Sequence, residues 1–316
     1  MYEVALIVAP VFGLIALGYV LARFAVLGEE AGSGLAAFVF TVAVPALLFR
    51  MMVTAQPGGA GEPLALLAAY YGAIALTWGL ATLATALLLK RPARDGASIA
   101  MGSSFGNIVM LGIPLAFDRF GAQAAAPVAI IISISSPLMW FAATLHYELA
   151  GKRRDMALAP LLKDLLLSLL RNPIVTGLVA GLAWRATGLG LHPVPDKMIS
   201  LLGQAAIPGS LVALGLSLTA FRIRGQLPTV AVICLLSLVV LPALVWVAAF
   251  KILALPPVWA GVAVLLAACP PGANAYLFAA RHDAATGSVS AAVALGTALS
   301  MISVTLILIV LQNQLQ

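Results

Sequence analysis

Charged side chains are scarce in this sequence. Only 9% of its 316 residues are Asp, Glu, Lys or Arg, and 63% are hydrophobic, whereas a soluble domain carries about 25% charged residues. The polar surface is therefore too small to face water on all sides, which disfavours an ordinary soluble enzyme. Apolar runs of about 20 residues follow one another, and runs of this length span a bilayer as helices. The sequence predicts an all-α membrane protein embedded in a lipid bilayer.

Residues that carry catalysis or hold metals are also few. Cys234 and Cys269, the two cysteines, lie in apolar runs and are predicted to be small buried hydrophobic residues rather than a disulfide framework. No group of Cys, His, Asp and Glu has the spacing of a metal site. No buried nucleophile and base, and no pair of carboxylates, suits an intramembrane enzyme. We expect no enzyme, no metal, no cofactor and no nucleic acid partner.

Carboxylates are missing from the middle of the apolar runs. All 11 Asp and Glu residues fall in loops or within a turn or two of the end of a run. A proton or sodium antiporter usually carries an ionisable residue at the midplane, so this class is disfavoured. Coupling through Asp118, His146 or a sodium ion on backbone carbonyls stays open. Arg50 has two interpretations, attraction of an anion or, as the favoured one, snorkelling to the outer interface.

Ten apolar runs are predicted to be membrane spans. Their boundaries are 3–24, 32–53, 63–89, 98–119, 123–148, 171–189, 196–220, 227–250, 258–280 and 285–311. The first is interpreted as a retained helix, because it lacks the basic start of a signal peptide. Residues 151–170 form a polar linker between two sets of five spans, 1–150 and 171–316. Leu162, Leu166 and Leu169 share a face there, which indicates a short interfacial helix.

Basic residues are unevenly distributed between the two sides of this arrangement. Most Lys and Arg residues fall in the loops that join spans 1–2, 3–4, 5–6, 7–8 and 9–10. The few on the other side are Arg50, Arg119, Arg185, Lys197 and Lys251. Loops rich in Lys and Arg face the cytoplasm. The sequence therefore predicts a cytoplasmic linker and two extracytoplasmic termini.

Five spans in each half make the halves antiparallel, which is an inverted-topology repeat. Two faint sequence echoes support this interpretation. Pro45 in span 2 and Pro208 in span 7 are 163 residues apart, and residues 112–114 in span 4 precede residues 273–275 in span 9 by 161. Pro45 and Pro208 are predicted to be helix hinges or kinks.

Spans 4 and 9 are interrupted at corresponding places. Residues 106–114 (GNIVMLGIP) and 269–275 (CPPGANA) bring Gly, Pro and Asn into otherwise apolar runs. Proline removes a helix donor and frees a carbonyl, so each run is expected to unwind into two half-helices. Paired interruptions of this kind are the best sequence pointer to the substrate site of a secondary transporter. The positive N-termini of the half-helices favour an anion, particularly a carboxylate.

The predicted substrate-binding residues lie at the two breaks and in two neighbouring spans. Asn107 and Asn274 each carry an amide that donates and accepts hydrogen bonds. The full set is Asn107, Gly112, Ile113, Pro114, Pro271, Gly272, Ala273, Asn274, Ser136 and Gln204. Secondary candidates are Ser133, Ser135, Pro137, Thr297 and Ser300, because hydroxyls in membrane helices more often bond to backbone or to a neighbouring helix.

An ordered set of motifs resembles the auxin efflux carrier family, especially its bacterial, malonate-transporter-like members. The matching pieces are Val44-Pro45-Ala46-Leu47-Leu48-Phe49, residues 106–115, Arg171-Asn172-Pro173, Ala213-Leu214-Gly215 and Pro271-Gly272-Ala273-Asn274-Ala275. The resemblance covers essentially the whole chain. Plant members have a proline where this sequence places Ala275, whereas Pro270 and Pro271 come earlier here.

The resemblance implies a ten-helix fold related to bile-acid symporters and sodium/proton exchangers. It implies a scaffold domain of spans 1, 2, 6 and 7 and a transporter domain of spans 3–5 and 8–10, with discontinuous helices 4 and 9 crossed at Pro114 and around residues 272–275. It further implies Asn107 near the substrate, elevator-type transport of an organic anion across the bacterial inner membrane, and a homodimer through spans 2 and 7. An anion channel and a transport-derived membrane sensor remain the alternatives.

Overall fold

A computed structural model describes residues 2–54, 62–151, 158–221 and 225–314. Among these residues every regular element is helical, and one isolated antiparallel bridge joins Gly106 to Pro271. The fold is therefore all-α, as the hydropathy of the sequence predicts. Lys152, Arg153, Arg154 and Asp155 of the linker, and the loop residues Arg222 and Arg224, lie outside the described residues.

Sixteen α-helices follow one another in the described ranges. The first seven are α1 (Tyr2–Arg23), α2 (Glu29–Phe38), α3 (Val44–Thr54), α4 (Pro63–Leu87), α5 (Ala93–Ser104), α6 (Ile113–Phe120) and α7 (Ala125–Ala150). The others are α8 (Leu158–Leu170), α9 (Pro173–Ala186), α10 (Pro193–Gln204), α11 (Ala206–Leu218), α12 (Leu227–Leu235), α13 (Leu241–Trp246), α14 (Pro257–Ala267), α15 (Ala273–His282) and α16 (Thr286–Gln314). Helix α8 confirms the helix expected in the linker.

Shorter helical segments join several of these helices. Four are π-helical, Val39–Ala43, Ile108–Gly112, Leu236–Val240 and Val247–Ile252, and Gly121–Ala124 is a 3₁₀ turn. Three of the π segments end two residues before a proline, namely Pro45, Pro114 and Pro242. In each case the residue before the proline donates its N–H to the carbonyl five residues back. The wider turn accommodates a residue that cannot donate and that clashes with the preceding turn.

Seven helical stretches in the described chain are long and apolar enough to cross a membrane. They are Val4–Arg23, Glu29–Thr54, Pro63–Leu87, Ile108–Ala150, Pro193–Leu218, Leu227–Ile252 and Thr286–Gln312. Two shorter apolar helices are Pro173–Ala186 and Pro257–Ala267. The protein is therefore an integral, multi-pass membrane protein. Helical structure lies within each of the ten predicted spans, but the number of crossings and the five-plus-five repeat remain predictions.

Helices from both halves of the chain pack together in pairs. α1 runs along α11, α2 contacts α11, and α3 contacts α9 and α10. Gly18 and Gly215 allow the closest of these approaches: a Cβ on Gly18 would lie 2.3 Å from Val212 O, and one on Gly215 would lie 2.1 Å from Ile15 O. Small residues at such contacts let two backbones touch, which drives helix association in lipid.

The first halves of the two interrupted helices, α5 and α14, lie at the centre of the helices that do not belong to these pairs. Every residue from Asp95 to Ser104 of α5 is buried, as is every residue from Trp259 to Ala267 of α14. α5 contacts α4, α7, α12 and α15, and α14 contacts α6, α7 and α13. Both half-helices are thus surrounded by protein, which is where non-helical backbone at membrane depth is tolerated.

An ion pair links the two proline-containing spans at their ends. Arg50 of α3 donates from Nε to Asp196 Oδ1 (2.7 Å) and from Nη2 to Asp196 Oδ2 (3.2 Å), across 146 residues of sequence. Neither sequence interpretation of Arg50 anticipates this partner. Pro45 is the second residue of α3, and Pro208 is the third residue of α11, which only Ala205 separates from α10. Their roles as hinges stay predictions.

Candidate functional site

The two interruptions have defined positions in the structure. α5 ends at Ser104, residues 105–107 are non-helical, and the π segment Ile108–Gly112 follows. α14 ends at Ala267 and α15 begins at Ala273, so the second interruption covers residues 268–272. This settles the place of the second break, which Pro270 and Pro271 occupy.

The expectation that Gly112, Ile113 and Pro114 unwind span 4 is wrong. All three are buried in helical chain, Gly112 at the end of the π segment and Pro114 as the second residue of α6. The wider turn of the π segment accommodates Pro114, because Ile113 donates its N–H to Ile108 O, five residues back. The helix instead opens one to two turns earlier, at residues 105–107, where Gly106 and Asn107 lie.

The two interruptions contact each other through their backbones. Asn107 N donates to Pro270 O (2.8 Å), and Gly272 N donates to Phe105 O (3.0 Å). Pro271, which has no N–H, lies between these bonds, opposite Gly106. Each break therefore satisfies polar groups of the other, which removes much of the penalty for free backbone inside a membrane.

Gly106 is the position at which this approach is closest. A Cβ there would lie 2.9 Å from Cys269 O and 3.1 Å from Cys269 Cβ. The nearest obstacle is backbone, which cannot rotate away as a flexible side chain does. A residue without a side chain is therefore required at Gly106 for the two breaks to meet.

Asn107 lies at the start of the second half of the first interrupted helix. Its Oδ1 accepts a hydrogen bond from Met110 N (3.3 Å), so the side chain caps the π segment. The side chain is half-buried, and its Nδ2 has no hydrogen-bond partner among the residues that the structure describes. The amide oxygen thus holds the local backbone, while the two N–H donors of Nδ2 are available to a ligand.

The second half-helix, α15, begins without a side-chain cap. Gly272 precedes it and has no side chain, and within the described chain no hydrogen bond engages the N–H groups of Ala273 and Asn274. Asn274 is half-buried in the first turn. The N-termini at Ile108 and Ala273 flank the paired backbones of the two breaks, and both are sources of positive potential. This arrangement suits a small anion.

The other predicted residues are placed differently. Gln204 is exposed at the end of α10, and its Nε2 donates to Ser200 Oγ (3.1 Å) one turn back, so nothing in its contacts directs it to the breaks. Ser136 is half-buried in α7. The four secondary hydroxyl candidates all bond to backbone of their own helix, namely Ser133, Ser135, Thr297 and Ser300.

Sequence reasoning missed residues that act through backbone atoms or through a distant partner. Phe105 and Pro270 supply the carbonyls that pair the two breaks. Tyr71 of α4 bonds through its hydroxyl to Ile131 O (2.9 Å) and Ser135 Oγ (2.8 Å) of α7. A tyrosine in an apolar run was the available signal, because its hydroxyl needs a partner when buried.

Comparison with known proteins identifies the class of this chain. Residues 4–308 match the family described as "Membrane transport protein". The chain belongs to this membrane transport protein family. The match covers nearly the full length, and it confirms the family resemblance drawn from the motifs. The protein is a membrane transporter.

Two relatives match along nearly their whole length. A protein of Rhizobium meliloti (strain 1021) named "Putative malonate transporter" is 28% identical over 99% of this chain and 97% of its own. A protein of Methanothermobacter thermautotrophicus named "Uncharacterized transporter" is 26% identical over 96% of this chain and 97% of its own. Both names agree with a transporter, and one of them names a small dicarboxylate.

Proposed function

We propose that this transporter is a secondary carrier of a small organic anion, which it holds where the two interrupted helices meet. Malonate, another carboxylate or an auxin-like acid has the required chemistry. The observation that carries this proposal is the backbone pairing of residues 105–107 with residues 270–272, beside two half-helix N-termini. The name of the relative from Rhizobium meliloti favours a dicarboxylate among these anions.

The substrate carboxylate is proposed to accept hydrogen bonds from Asn107 Nδ2 and from the first N–H groups of α15. Such charge-assisted bonds are about twice as strong as neutral ones. Buried walls on both sides strengthen them further by excluding water. Gly112, Ile113 and Pro114 on one side, and Pro271, Gly272, Ala273 and Asn274 on the other, form the framework that positions these donors, and Ser136 stays a candidate. Gln204 is less well supported, because it is exposed and bonded within α10.

Alternating access is proposed to move one group of helices along the other. The scaffold group contains α1, α2, α3, α9, α10 and α11, whose mutual contacts are extensive. The transporter group contains α4–α7 and α12–α16 and carries the candidate site. The two groups meet where α11 contacts the π segment Ile108–Gly112 and where α1 contacts α6 and α16. An elevator movement along these contacts carries the bound anion across the membrane.

The membrane potential acting on the anion is the proposed driving force. Moving one charge through 100 mV corresponds to about 2.3 kcal/mol. Coupling is the alternative, through Asp118, which is exposed near the end of α6, through His146, whose Nδ1 accepts from Trp78 Nε1 (3.1 Å), or through a sodium ion on backbone carbonyls. We further propose an inner-membrane location with both termini outside. A homodimer through spans 2 and 7 would cover the exposed apolar residues Val194, Met198 and Leu201 of α10.

Asn107→Asp is the sharpest test of the site. Aspartate keeps an oxygen that caps the π segment, but it replaces the two donors with negative charge, so the protein folds and the anion is repelled. Uptake of labelled malonate and other carboxylates by proteoliposomes should fall about 10- to 100-fold, as expected for the loss of a hydrogen bond to a charged group. Asn172→Asp is the matched control, because Asn172 caps α9 in the same way through Ile174 N (3.0 Å).

Two outcomes would contradict the proposal. Equal transport by the parent and Asn107→Asp, with every anion that the parent carries, would remove the site from residues 105–107 and 270–272. Flux that neither saturates nor accelerates in counter-exchange would indicate the channel alternative, and tight binding without flux would indicate a sensor.

A further inference from the structure

An apolar groove lies on the side of the transporter group, away from the paired breaks. It has a volume of about 380 Å³ and is bounded by α13, α14, α16 and the π segment before α13. Pro242, Ala243 and Trp246 line one wall, and Leu306 and Val310 of α16 line the other. Leu306 is 58% exposed and Val310 is 47% exposed, so the groove opens on the protein surface. Because these helices are membrane spans, that surface faces lipid chains.

The lining of the groove is almost entirely apolar, and a cationic side chain lies beyond its Trp246 end. The indole Nε1 of Trp246 is buried and has no hydrogen-bond partner among the described residues. Lys251 lies just beyond, with its Nζ 5.2 Å from the centre of the Trp246 ring. In the described chain it forms no ion pair, and its side chain is exposed.

We propose that this groove binds one anionic phospholipid. An acyl chain fills the groove from Trp246 towards Leu238, a length of roughly 12 Å at the helical rise, and the phosphate contacts Lys251. The positive charge of Lys251 beside an apolar groove favours a lipid with a negative headgroup. Tryptophan residues such as Trp246 are enriched at the water–lipid boundary, where such headgroups lie. The site lies in the leaflet where α16 ends, which the loop charges predict to be the outer one.

Native mass spectrometry of the detergent-purified protein tests the proposal. Dioleoyl phosphatidylglycerol, dioleoyl phosphatidylcholine and inorganic phosphate are added separately at equal concentrations. We expect retained phosphatidylglycerol, weak phosphatidylcholine binding and no phosphate adduct. Lys251→Gln should weaken phosphatidylglycerol binding about fivefold, the effect of one basic residue near a charged membrane surface. Lys197→Gln is the control, because Lys197 is an exposed lysine of α10, away from the groove.

A second pair of variants tests the apolar part of the site. Ala243→Phe fills the groove and should reduce binding of both lipids, whereas Val247→Phe places the same ring on the next turn, outside the groove. Three outcomes would overturn the proposal. They are equal binding of the two lipids with no effect of Lys251→Gln, lipid binding unchanged by Ala243→Phe, and a phosphate adduct that forms without any lipid. The Lys251→Gln result stands even if Ala243→Phe does not fold, because an exposed side chain is replaced.

Discussion

At the scale of single residues, the candidate site depends on two neighbours, Gly106 and Asn107. One provides space for a backbone contact, and the other provides a side-chain amide. Because Gly106 has no Cβ, the carbonyl of Cys269 can approach it closely: a Cβ at this position would lie only 2.9 Å from Cys269 O. Asn107 divides its amide, with the oxygen on Met110 N and the nitrogen without a described partner. A capping residue and a proposed ligand-binding residue are thus the same residue, which is why substitutions here must be chosen to separate folding from transport.

Gly106→Ala is predicted to destabilise the protein and to abolish transport. The new Cβ meets backbone at 2.9 Å, and overpacking of this kind costs about 1–3 kcal/mol. Thermal unfolding in detergent, followed with uptake by proteoliposomes, measures both effects. Gly72→Ala is the control, because a Cβ on Gly72 in α4 meets nothing within 4 Å. Its expected effect is a small gain in stability, about 1 kcal/mol or less. Normal uptake by Gly106→Ala would show that the two backbones do not need to meet this closely.

At the scale of helices, three prolines lie in continuous helical chain and do not interrupt it. Pro45, Pro114 and Pro242 each follow a π segment whose wider turn absorbs the missing donor. The real interruptions form where glycine, asparagine and consecutive prolines meet a partner of the same kind in the other half of the chain. A π segment contains one extra residue per turn, so it also sets the rotation of the helix that follows it.

Pro114→Ala is predicted to impair transport without unfolding the protein. Alanine supplies a donor and lets the π segment return to an α-helix, which turns α6 by about 100° relative to Asn107. A misplacement of about 1 Å lowers the rate of a catalytic group about 100-fold, and a similar loss of uptake is expected. Pro193→Ala is the comparison, because Pro193 is the exposed first residue of α10; its effect on stability should stay within about 0.5 kcal/mol. Equal uptake by both variants would argue against a functional role of the π segment.

At the scale of the whole molecule, sequence neighbours are separated and the two halves are interleaved. α1, α2 and α3 pack with α9, α10 and α11, while α5 and α14 lie at the centre of the other helices. The Arg50–Asp196 ion pair ties α3 to α10 within the first group. The proposed elevator movement uses this grouping, since the candidate site lies within one of the two groups.

The orientation of the molecule is predicted from its loop charges and is tested with single cysteines. Glu62→Cys, in a loop predicted to be extracytoplasmic, should react with a membrane-impermeant maleimide on intact cells. Glu29→Cys, at the other end of the helical stretch Glu29–Thr54, should react only after permeabilisation. The parent chain is the background control, because Cys234 and Cys269 are 7% and 1% exposed. The reverse labelling pattern would place both termini in the cytoplasm.

The sequence by itself determined the membrane class, the helical content and the neighbourhood of both interruptions. These follow from apolar runs and from Gly, Pro and Asn, whose effects act within a few residues along the chain. Tertiary structure alone decided that span 4 opens at residues 105–107 while Pro114 stays helical. It also decided that Pro270 and Phe105 supply the pairing carbonyls, and that Asp196 is the partner of Arg50. The physical reason is that a freed backbone group or a charge takes whichever partner packing brings near, and that partner lies in a distant part of the sequence.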